Sequence, residues 1–174
     1  MGPWFISLIF RVPAGSANLS GLDVLITWML TLSRTTNTIT FFVHWVWDTS
    51  LAVRPAVIMS DCDQAQLQAL KEVYSLSQIW LCIWHVLWAM RLHFSITVFQ
   101  SLWEKVKILV KTEDLAEFYT IWDEISTDPS VPQSFVQYMA SSWIPASHMW
   151  SRVVQKDCLI YLEGDTNMLI EAYV

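Results

Sequence analysis

Asp61 and Glu171 are the two carboxylates of this 174-residue chain whose settings suit joint chemistry. Asp61 lies in VIMSDCDQAQLQALKEVY (57–74), where an apolar run stops at Ser60 and a helical pattern starts at Asp63. A carboxylate at a strand end is a hard oxygen donor on a stiff element, which suits Mg²⁺. In open α/β sheets, ligands gather at the carboxyl ends of strands. The plainer role for Asp61 is to cap the helix that follows, and this stretch taken alone leaves both roles open. Glu171 lies in EGDTNMLIEAYV (163–174). Asp165 or Thr166 can cap a helix there, and Asn167 and Glu171, four apart, then share a face. A carboxylate on that helix could complete a metal site begun by Asp61; the alternative is a solvated Glu.

A second grouping is LCIWHV (81–86), with Cys82 and His85 at C-x-x-H spacing where a strand runs into a helix. Thiolate and imidazole are zinc ligands, but a structural zinc site takes four, and no second pair stands at suitable spacing. The expectation is a buried thiol and a core imidazole. KVKILVK (105–111) is a small basic cluster that could touch phosphates or form the solvated face of a helix. The tryptophans fall mostly at core-compatible positions and read as packing rather than as base-stacking platforms.

The elements that would position these residues alternate in the first half. LDVLITWML (22–30) reads as a buried strand, and the apolar spacing from Thr38 to Leu51 as a helix. RPAVIMS (54–60) is a strand, Asp63–Tyr74 a helix, QIWLC (78–82) a strand and Trp84–Phe94 a helix. That alternation predicts an α/β fold with parallel strands. After about residue 95 only amphipathic helix patterns remain, with a capping pattern at Thr112 and a helix start at Pro132. Residues 1–20 end in RVPAGSANLSG and read as irregular.

Composition narrows the class. Hydrophobic residues make up 54% of the chain and charged ones 15%, which excludes disorder; Gly 4 disfavours a β-rich chain full of tight turns. The apolar windows at 4–10, 24–32 and 79–90 fall short of the roughly 20 residues a spanning helix needs. No basic residue precedes the first apolar run, so no signal peptide is expected. Cys62, Cys82 and Cys158 form no disulfide framework and suggest a reducing compartment. A net charge of −6 works against tight DNA binding by this chain alone.

Taken in order, PAVIMSDCDQAQLQALKEVY, IWLCIWHVLWAMRLHF and DTNMLIEAYV resemble the Mutator-like (MULE) transposase domain, in a form like those of fungal genomes. The resemblance spans about residues 21–174. It implies a ribonuclease-H-like core with an Asp-Asp-Glu catalytic set. Asp61 takes the place of the second acid, Cys82 and His85 of the C-x-x-H pair, and Glu171 of the third acid, with Asp63 and Asn167 supporting. Asp61 and Glu171 would then be ligands of Mg²⁺ or Mn²⁺ in two-metal cleavage and strand transfer of DNA. The partner would be transposon-end DNA, the location nuclear, and the chain not a membrane protein; an oligomer is compatible with this.

The implied division is an irregular segment at 1–20, a partial catalytic core at 21–94, a helical insertion at 95–165 and the start of the catalytic helix at 166–174. One departure follows. The family's first Asp lies in its first strand, upstream of two further strands and a helix. Asp23 is the only Asp before Asp48, and GLDVLITWML resembles the family's third strand. Roughly forty residues separate Asp23 from Asp61, too few for two additional strands. The first acid is therefore expected to be missing and the chain to be a fragment, inactive by itself. The alternatives are a non-catalytic remnant that binds protein or DNA and, more weakly, a membrane-associated protein.

Overall fold

The computed structural model describes residues 4–11, 23–31, 35–49 and 57–155; for the first two segments it describes the backbone only. The chain divides into two compact units between Trp80 and Leu81.

The first unit opens with β1 (Trp4–Arg11), paired antiparallel with β2 (Asp23–Thr31). Residues 1–20 are therefore not irregular throughout, as their sequence suggested. WFISLIFR is rich in the aromatic and β-branched residues that suit a pleated surface. Its pairing partner lies beyond the Gly- and Pro-containing segment that had drawn the loop reading. The register shifts after Leu8, where Ile9 faces Leu25 instead of Ile26. That is a β-bulge, which bends the strand and increases its twist. The expectation of parallel strands throughout is corrected here, since the first pair is antiparallel.

Next comes α1 (Thr36–Thr49), which starts two residues earlier than its sequence pattern; Ser50 and Leu51 lie outside the described residues. Thr35 starts it: its hydroxyl accepts from the Thr38 amide at 3.3 Å, satisfying an otherwise unpaired donor of the first turn. Ile39, Phe42, Val43 and Val46 form the buried stripe. β3 (Val57–Ser60) follows, then α2 (Gln64–Val73) and β4 (Gln78–Leu81), with β3 and β4 paired in a second two-stranded sheet. A strand–helix–strand passage of this kind is what a parallel pair requires. Helix α2 buries Leu67, Ala69 and Leu70 and packs on α1, where the Trp47 ring meets Tyr74 edge-on at 5.0 Å.

The second unit is helical over its described residues: α3 (Ile83–Arg91), α4 (Gln100–Lys111), α5 (Leu115–Thr127), α6 (Gln133–Tyr138) and α7 (Arg152–Gln155). A π-helical turn at Met139–Trp143 and a 3₁₀ turn at Ser147–Met149 join the last two. No strand occurs among the described residues 95–155, in keeping with the helix-only pattern after Phe94; residues 156–165 lie outside the described set.

Two start signals came out differently in detail. Helix α6 begins after Pro132, as its sequence implies. Helix α5 is capped by Asp114, whose carboxylate accepts from the Glu117 amide at 2.8 Å, and not by Thr112. Thr112 ends α4 instead, and its hydroxyl donates to the Glu117 carboxylate. The core of this unit gathers Val106, Leu109, Phe118, Ile125, Phe135, Met139 and Trp150, each at 1% exposure or less.

Candidate functional site

Asp61 is the first residue after β3, at the strand's carboxyl end, and is half-buried. Its side chain is one member of a local relay. Asp61 Oδ1 accepts from the Asp63 amide at 3.0 Å, and Asp63 Oδ1 accepts from the Gln66 amide at 2.9 Å. Asp63 has extended backbone angles (φ −72°, ψ 121°), and its carbonyl takes the first helical bond from Leu67 at 2.9 Å. These are the marks of an N-cap. The two readings left open by the sequence are thereby distributed: the cap of α2 is Asp63, and Asp61 shapes the turn that leads into it. The acidic pair answers a geometric need, because an extended strand must turn into a helix within three residues and its amides need acceptors.

Ser60, one residue before, is buried at 1% exposure, so Asp61 stands where the chain emerges from the core. A short strand with Ile58 locked at 2% exposure behind it gives this carboxylate a defined position. That is the property a metal ligand at a strand end needs.

Cys82 is buried and is the N-cap residue of α3, with no side-chain capping bond. Its carbonyl accepts from Val86 at 3.0 Å. His85, three residues on, is half-buried and meets the Trp84 ring edge-on at 4.8 Å. The C-x-x-H spacing therefore falls on the first turn of a helix, as its sequence implies.

Among the described residues there is no group of three His, Cys, Asp or Glu side chains able to hold a metal ion. Asp61 fits the chemistry of a hard-cation ligand, but the described residues do not complete such a site. Asn167 and Glu171 lie outside the described residues.

Residues 10–88 match the MULE transposase domain. The likeness first carried by the residues around Asp61 and Cys82 holds over this segment. No curated protein matches the chain. The matched MULE segment contains β2, α1, β3, α2, β4 and the first turns of α3, and with them Asp61, Asp63, Cys82 and His85. It takes in the end of β1, which the sequence reading had placed outside the likeness. It stops before α4–α7 and before Asn167 and Glu171.

The remaining chemistry-bearing features resolve into surface structure. Lys105 pairs with Glu124 at 3.1 Å and Lys107 with Glu104 at 2.7 Å, so the basic cluster is largely compensated on its own helix and on α5. Exposed pairs of this kind contribute at most about 1 kcal/mol. No helix among the described residues is long and apolar enough to cross a membrane. What sequence reasoning missed is the division of labour between Asp61 and Asp63. The signal was present in the spacing Asp63-x-x-Gln66, the first half of an N-cap pattern.

Proposed function

We propose that this chain carries part of the catalytic core of a MULE-type DNA transposase, with a ribonuclease-H-like arrangement of which β1–β4 and α1–α3 form the part within reach of the family match. Asp61 takes the role of the second catalytic acid and Glu171 that of the third. Both are ligands of Mg²⁺ or Mn²⁺, and residues 95–165 are a helical insertion ahead of the Glu171 helix. The observation that carries this reading is the seat of Asp61, directly at the end of β3 and ahead of a capped helix, inside the matched segment. In a two-metal site, bound ions activate the attacking oxygen and stabilise the leaving one. The part of this chain's own residues is to fix a carboxylate: β3 holds Asp61 in place, while Asp63 secures the turn. Transposon-end DNA is the substrate, and the nucleus the place of action.

The chain is proposed to be inactive alone. WFISLIFR in β1 has no carboxylate, and Asp23 is the first residue of β2, the strand that resembles the family's third. The bridging acid of a two-metal site is therefore not identified upstream of Asp61. A plasmid-nicking assay with Mn²⁺ tests this. The expected result is no nicking above that of Asp61→Ala. Metal-dependent nicking abolished by Asp61→Ala would show that a first acid is supplied, with Asp23 and Asp63 the next to mutate.

A further inference from the structure

Gln64, Gln68 and Lys71 form a row on α2. Spacings of four and three put them on one side of the helix, and all three are exposed. Leu67, Ala69 and Leu70, each buried, anchor the helix from its other sides. None of the three row side chains has a hydrogen bond or ion pair among the described residues. Cations elsewhere are engaged: Lys105, Lys107 and Arg152 pair with Glu124, Glu104 and Glu113, and Arg91 stands over the Trp88 ring. The row begins at the first residue of α2, directly after the cap Asp63 and three residues after Asp61. From Gln64 to Lys71 it spans about 10 Å, at about 1.5 Å per residue.

The chemistry of the row narrows its partner. Two carboxamides and an ammonium offer N–H donors, and the row holds no carboxylate and no apolar side chain; Glu72 lies on its flank. Protein interfaces are centred on aromatic or apolar anchors, and membrane-surface helices on an apolar face, so neither partner suits this row. Phosphate oxygens do, since Lys and Gln are among the side chains that hold a DNA backbone. The net charge of −6 gives a polyanion no general attraction, so the case for DNA is local. Donors without partners line the helix that leaves the strand end whose carboxylate is assigned to DNA cleavage. A span of about 10 Å is also about three steps of a DNA strand at about 3.4 Å each, so the three residues can meet different phosphates.

We propose that the outer face of α2 holds the backbone of the DNA substrate next to Asp61, with Gln64, Gln68 and Lys71 donating to phosphate oxygens. The choice of substrate rests on the transposase reading; the contacts themselves need no metal.

The test is fluorescence anisotropy of the full chain, in low salt and EDTA, with a labelled duplex of two turns, about 20 base pairs. Saturable binding is expected at about 10⁻⁶–10⁻⁴ M, the range of sequence-independent contacts. Lys71→Met should reduce the salt slope by about 0.9, the loss of one phosphate contact. Lys107→Met changes the net charge by the same amount, but its ammonium is paired with Glu104, so the slope should stay as in the parent. Gln64→Ala and Gln68→Ala should each weaken binding about threefold, the effect of one hydrogen bond. Alanine is the better helix former, so these variants keep α2. Absence of binding by the parent chain overturns the proposal, and so do equal slopes for Lys71→Met and Lys107→Met. Row variants that alter sedimentation while leaving duplex binding intact would assign the face to self-association, and the proposal would be wrong. Mn²⁺ binding at Asp61 without duplex binding removes this face and leaves the Asp61 reading standing; duplex binding through the row without Mn²⁺ binding keeps the face and removes the metal reading.

Discussion

Replacing Asp63 by alanine isolates the structural half of the acidic pair. The side chain accepts a charge-assisted bond from the Gln66 amide at Oδ1, 2.9 Å away, and both residues are half-buried. Loss of an Asp cap typically costs about 1 kcal/mol, within a range of about 0.5–2. The bond from the Asp63 amide to Asp61 Oδ1 uses backbone and survives the change. The expected cost of losing the cap is about 1 kcal/mol, or roughly 2–4 °C in Tm for a chain of this length. Asparagine caps about as well as aspartate, so Asp63→Asn should melt within about 1 °C of the parent. Circular dichroism at 222 nm during heating reads both variants. If alanine has no effect, or asparagine is as damaging as alanine, then Asp63 does not act as the cap, and the separation of its role from that of Asp61 fails.

Trp150, fully buried, donates its indole N–H to the Trp143 carbonyl at 2.9 Å. Trp150→Ala should destabilise the helical unit by about 3–5 kcal/mol in urea unfolding, and a loss under about 1 kcal/mol would contradict the packing described. Burial pushes the Tyr74 phenol above its ordinary value of 10.0. The stability this contributes is intact below pH 10 and is lost as pH rises through the raised value, because the fold disfavours the phenolate; Tyr74→Phe should remove that alkaline decline in pH-dependent unfolding. At the acid end, the Ser130 hydroxyl (2.6 Å) and amide (2.9 Å) hold the Asp128 carboxyl below its ordinary value. That contribution is present above the ordinary value and is lost as pH falls through the lowered one. Ser130→Ala should raise the Asp128 pKa, read from its carboxyl NMR resonance.

The helices were the most legible part of the chain. The stripe Ile39, Phe42, Val43, Val46 and the cap–helix sequence from Asp63 to Tyr74 are local patterns, set by period and end chemistry, and they emerged within a residue or two of their expected limits. β1 was not legible, because a strand beside a loop is defined by the partner that its edge finds, here β2 across a bulge. The antiparallel sense of that pair was hidden for the same reason: the connection between the strands is irregular in sequence and gives no helix to count. At Asp61 the sequence supplied the residue and its strand end, but not which aspartate capped α2. That choice rests on backbone angles at Asp63. Cap, turn and ligand all call for the same carboxylate, so residue type alone does not separate them.

The central claim is that Asp61 is a metal ligand in a transposase-type core. Mn²⁺ binding, followed by electron paramagnetic resonance of the free ion, tests it most directly. The parent chain should bind Mn²⁺, and Asp61→Asn, which keeps an acceptor for the Asp63 amide, should weaken binding about tenfold or more while leaving the Tm unchanged. Glu171→Gln should weaken it comparably, and Asp63→Asn should not. If the parent chain binds no Mn²⁺, or if Asp61→Asn binds it as tightly as the parent, Asp61 is a turn residue and the account of this site is wrong.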